Sequence, residues 1–88
     1  MMVNVVKELV ARHSKAELEK AASLFESRRE NLLGVEGKDD GEKLSNLLAA
    51  IEIRSQVDQG ASVNDALRAF SQRIRSVLKP AVKQKSSG

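Results

Sequence analysis

Leu44-Ser45-Asn46-Leu47-Leu48-Ala49-Ala50-Ile51-Glu52-Ile53-Arg54-Ser55-Gln56-Val57 is the stretch that decides the fold. Successive residues of an α-helix turn through about 100°, so positions three and four apart share a face. On that spacing Leu44, Leu47, Leu48 and Ile51 form one stripe. Ala49, Ala50, Ile53 and Val57 form a second, almost opposite the first. A helix that is apolar on two sides must be buried on two sides. The segment, about Glu42 to Gln59 with Gly60 as its stop, is therefore central in a bundle or shared with a second chain.

Three more helices emerge from the same periodicity. Downstream, Ser62-Val63-Asn64-Asp65 reads as a helix start, with Ser62 as the cap and Asp65 near the positive helix end. Val63, Ala66, Leu67, Phe70, Ile74, Val77 and Leu78 then occupy an arc of about 120° at helical spacing, and Pro80 ends the run. Upstream, Ser14-Lys15-Ala16-Glu17 has the form of a capping box, in which serine and glutamate satisfy each other's backbone N–H groups. Leu18, Ala21, Ala22, Phe25, Leu32 and Leu33 continue that helix on one face, with Gly34 as its left-handed stop. The first helix runs from about Val3 to Arg12, with Val3, Val6, Leu9 and Val10 on one face. Between the second and third helices, Gly34-Val35-Glu36-Gly37-Lys38-Asp39-Asp40-Gly41 is a loop, and either Asp39 or Asp40 caps the third helix.

Length and composition bound the rest. Eighty-eight residues make one domain. A chain of this size buries only about 60% of its unfolded surface, so its core is marginal and a partner chain would supplement it. There is no cysteine and one histidine, His13, which excludes a disulfide or a thiolate or zinc site. The only aromatics are Phe25 and Phe70, too few for a base-stacking platform. No run approaches the roughly 20 apolar residues of a membrane span, and no signal peptide is evident, so the expected location is the cytoplasm.

The net charge of +3 conceals an asymmetry. Residues 1–65 hold nine Lys/Arg and twelve Asp/Glu, whereas residues 66–88 hold six Lys/Arg and no acid. Arg68, Arg75, Lys79, Lys83 and Lys85 are the residues of this basic end that would contact phosphates in a nucleic-acid complex. The competing reading is a solvated helix face followed by a soluble tail. The start of the last helix, Val63 to Ala66, is poor for reading base edges.

Ser45-Asn46-Leu47-Leu48-Ala49-Ala50-Ile51-Glu52-Ile53, Gly60-Ala61-Ser62 and Ala66-Leu67-Arg68-Ala69-Phe70 together resemble a small bacterial helical family that is itself uncharacterised. Val5-Val6-Lys7-Glu8-Leu9 fits the same pattern. The resemblance covers about two-thirds of the chain and leaves out the middle loop. It implies the helical fold and no activity.

No catalytic or cofactor set emerges. Ser14 and Ser62 are caps rather than nucleophiles, since neither has a base nearby in sequence. His13 ends the first helix, with sensing of pH as the functional alternative. The loop lacks the spacing of a phosphate loop, and Asp39-Asp40-Gly41 is too short for a calcium loop. Glu52, between the two stripes, is expected to pair with Gln56 or Gln59. Arg29 falls inside the second helix's apolar stripe and should reach water or an acid, Asp58 being the candidate. Its alternative is to join Arg28 in binding an anion.

The sequence thus reads as an all-α protein, a small four-helix bundle made of two helical hairpins over residues 1–80, with a mobile basic tail over 81–88. The expected role is a non-catalytic protein–protein interaction module, a homodimer or an adaptor, without cofactor or metal. Its interface would be the second stripe, Ala49, Ala50, Ile53 and Val57. Accessory nucleic-acid binding through the basic end is the alternative, and an enzyme ranks last.

Overall fold

The computed structural model describes the backbone of residues 2–78 and the side chains of residues 2–73. The expected domain limit at residue 80 and the tail over 81–88 lie outside these residues. Four helices occur in order: α1, Val3–Arg12; α2, Lys15–Arg28; α3, Asp40–Asp58; and α4, Val63–Leu78. No strand occurs among the described residues. Two short links join α1 to α2 and α3 to α4, and the longer loop joins the two halves.

The helix starts obey the local chemistry. Ser14 Oγ accepts from the Glu17 N–H at 3.1 Å, and Glu17 Oε1 accepts from the Ser14 N–H at 3.0 Å, completing the capping box. Asp39, not Asp40, caps α3, its Oδ1 accepting from the Glu42 N–H at 2.8 Å. Ser62 Oγ does the same for the Asp65 N–H at 3.1 Å. Gly60 takes a positive φ of 111° after α3, a conformation that glycine adopts without steric cost.

The end of α2 departs from the sequence pattern. The helix stops at Arg28 rather than running on through Leu33, and Arg29 turns left-handed at φ 58°. The Arg29 N–H still donates to the Phe25 carbonyl at 2.9 Å. The reason lies in Asn31, whose side chain offers the backbone a bonded alternative to helix. Its Oδ1 accepts from the Val35 N–H at 2.8 Å and its Nδ2 donates to the Val35 carbonyl at 3.0 Å. That clasp turns the chain so that Val35, a loop residue, enters the core. Leu32 is left at the surface and Leu33 half-buried.

α3 is the common partner, since α1, α2 and α4 each pack on it. Its flank carrying Ala49, Ala50 and Ile53 is sealed, as are Val6 and Val10 of α1, Leu18 and Phe25 of α2, and Ala66 of α4. Burying a side chain such as Leu18 or Ile53 stabilises the fold by about 1.5–3 kcal/mol.

The alignment of α1 is set by two polar contacts. Asn46, fully buried, accepts from the Met2 N–H at 2.9 Å and donates from Nδ2 to the Glu36 carbonyl at 2.9 Å. Eight residues further along both helices, Arg54 Nη1 donates to the Val10 carbonyl at 2.9 Å. The shared sequence offset means that α1 lies parallel to α3. Gly37 passes close to the first turn of α3, where an added Cβ would sit 2.9 Å from the Lys43 backbone nitrogen.

Candidate functional site

The structure divides the two stripes of α3 differently from the sequence expectation. Ala49, Ala50 and Ile53 are no more than 1% exposed, and Val57 is half-buried against the same core. The stripe expected to meet a partner is taken up by this chain's own helices. The correction has a simple cause: spacing defines two apolar faces and does not say which of them the neighbouring helices cover.

The other stripe is the accessible one. Leu47 is buried, but Leu48 is 48% exposed and Leu44 and Ile51 are only partly covered. Leu44, Leu48, Ile51 and Ser55 succeed one another at i, i+4, i+7 and i+11, a single line along the outer face. Glu52 lies beside it. Its carboxylate pairs with Arg73 Nη2 of α4 at 3.0 Å, not with Gln56 or Gln59. The Arg73 guanidinium also stands 5.7 Å from the centre of the Phe70 ring, a cation–π arrangement. Glu52, Phe70 and Arg73 thus clasp α4 to α3.

Of the residues expected to bind phosphates, only Arg68 has a described side chain. It lies 3.5 Å from Asp65 one turn earlier, and both are well exposed. The side chains of Arg75, Lys79, Lys83 and Lys85 lie outside the described residues. Arg29 is exposed at the end of α2, and Asp58 instead meets Arg54, Nε to Oδ1 at 3.0 Å. The Arg54 Nε–H is not aligned with that oxygen and makes no hydrogen bond. His13 Nδ1 is 3.5 Å from Glu17 Oε1 at the α1–α2 junction.

A cleft that sequence reasoning missed lies between the outer face of α1 and the loop. It is an open cleft of about 320 Å³. Val5, Leu9, Leu33 and Val35 supply its apolar surface. Asn4, Glu8, Arg12, His13 and Glu36 supply its polar atoms, with the Gly34 backbone between the walls. Glu8 and Arg12 pair across one helical turn at 3.2 Å. The loop wall is held by side-chain amides at two points, Asn31 on Val35 and Asn46 on the Glu36 carbonyl. Asn31 ahead of an apolar residue in a glycine-rich loop was the one available signal, and its meaning depended on where Val35 goes.

Among the described residues no group of three or more His, Asp or Glu side chains is placed to hold a metal ion, and no helix is long and apolar enough to cross a membrane.

A family model described as a family of unknown function (DUF6952) matches residues 1–79. The match takes in the middle loop that the resemblance read from the sequence had left out. No curated protein and no solved structure gave a match.

Proposed function

The chain belongs to that family of unknown function, and we propose its role from the surface it presents: a non-catalytic interaction module that pairs with a second copy of itself through the outer face of α3. The observation that carries this reading is the apolar line on which Leu48 is exposed and Leu44 and Ile51 are only partly covered, whereas Ala49, Ala50 and Ile53 are enclosed. Electrostatics favour a second copy as the occupant. The line from Leu44 to Ser55 contains no charge, and Glu52 at its edge is already paired with Arg73 of the same chain. Two such faces can therefore close on each other without burying an unpaired carboxylate, a costly event at an interface. A two-fold axis perpendicular to the α3 helices would set them antiparallel, which also opposes their dipoles. A core this small gains from covering leucine and isoleucine surface.

Light scattering after gel filtration, over a range of protein concentrations, tests the reading. The chain is expected to elute with twice its mass at high concentration, and Leu48→Asp to elute as a monomer with an unchanged helical circular-dichroism spectrum. A monomer at every concentration, or a dimer that ignores Leu48→Asp, rejects this pairing. In the first case the face awaits a different protein, and in the second the dimer is built elsewhere.

The described part of the basic end favours no nucleic-acid reading, because Arg68 and Arg73 each already lie beside an acid.

A further inference from the structure

We infer that the cleft between α1 and the loop is a binding site for a small alkylammonium compound, a primary amine carried on a short aliphatic chain. The site is independent of the pairing of α3 faces, which involves other residues.

Three features converge on that class. The first is size: about 320 Å³ falls at the lower end of the volumes that hold small organic ligands. The second is the apolar lining. Val5 and Leu33 remain partly accessible above the buried Leu9 and Val35, a surface suited to methylene groups. The third is the sign of the rim. Glu8 and Glu36 face the cleft with Arg12, but Arg12 already meets Glu8 at 3.2 Å. His13 lies beside Glu17. Among the described residues Glu36 has no ion-pair partner, so the described lining carries one carboxylate in excess. An ammonium group answers that excess, whereas a carboxylate or phosphate would meet it with repulsion.

The cleft is also formed in advance. The Asn31 clasp fixes the backbone of Val35, and the fully buried Asn46 holds the carbonyl of Glu36 itself. The Glu36 backbone is thus anchored to α3 and the ordering of the wall does not have to accompany binding, which lowers its entropic cost.

Titration of the full chain with hexylammonium chloride, monitored by methyl and amide NMR shifts, tests the site. Hexanoate and hexanol serve as probes of the same length. Saturable shifts are expected at Val5, Leu9, Leu33 and Val35, with hexylammonium binding at least about twofold tighter than either control. Replacing the exposed Glu36 by Gln should weaken hexylammonium by about two- to fivefold, the range for a solvent-exposed ion pair, with an otherwise unchanged spectrum. Equal affinity for the three probes overturns the inference, as do shifts centred on Leu44, Leu48 and Ile51, linear shifts without saturation, or an undiminished affinity in Glu36→Gln.

Discussion

The two sides of α3 are both apolar and differ in fate. One bears Ala49, Ala50 and Ile53, with Val57 at its end, and the other bears Leu44, Leu48 and Ile51. Hydropathy alone ranks the second side at least as high. Yet α1, α2 and α4 close over the first, and Leu48 is left 48% exposed where Ile53 is fully enclosed. The difference is one of residue size at the contact. Alanines let neighbouring helices approach closely, and three helices around one axis need small residues somewhere. The larger leucine side can then remain outside as a surface of its own.

The sharpest test of that contrast is Ile53→Asp. A carboxylate placed at a fully enclosed position meets no partner there, so the variant should lose about 3–5 kcal/mol and fail to fold cooperatively in a chain this small. Leu48→Asp, five residues away, should change the stability of the single chain by no more than about 0.5 kcal/mol, since surface substitutions rarely do more. Urea unfolding of the two variants side by side measures both. Similar losses would mean that the two sides are not distinct in the way described.

Asn46→Ala tests the polar part of the enclosed side. It strips the Met2 N–H and the Glu36 carbonyl of their partner, and a cost of about 2–3 kcal/mol is expected for these orphaned groups. Amide hydrogen exchange should show the loop around Glu36 and the start of α1 losing protection together. A loss confined to one of them would separate two contacts that the structure joins in one side chain.

A smaller effect than that of Asn46→Ala, and of opposite sign, concerns the end of α2. Arg29 is an exposed residue at φ 58°, a region costly for side chains other than glycine. Arg29→Gly should raise stability by about 0.5–1 kcal/mol in the same urea assay, because the strain relieved outweighs the added freedom of the unfolded chain. A drop in stability would mean that the Arg29 side chain makes contacts worth more than its backbone strain.

Much of this architecture is legible in the sequence. The caps at Ser14 and Ser62 are local, each built from residues three apart, so their chemistry is complete within a short stretch of chain. The positions of α1 and α4 and the centrality of α3 come from periodicity, since a two-sided helix has to be surrounded. The end of α2 is not legible, because Leu32 and Leu33 keep the helical register while Asn31 diverts the backbone to bury Val35. The ion pair of Glu52 is not legible either, whereas that of Asp58 with Arg54, four residues earlier on the same helix, follows from helical spacing, against the expectation of Arg29. Arg73, the partner of Glu52, lies on another helix.

The order of residues along the chain was enough to specify the set of helices, their starts and the amphipathic faces they carry, because caps and periodicity act between residues within a turn or two of each other. Only packing in three dimensions could assign one face of α3 to the core and the other to the surface, bring Val35 inside, and leave a cleft between α1 and the loop. Those outcomes depend on how three helices share the space around a fourth, and that sharing is settled by side-chain volume and by contacts such as Met2 to Asn46, between residues far apart in the chain.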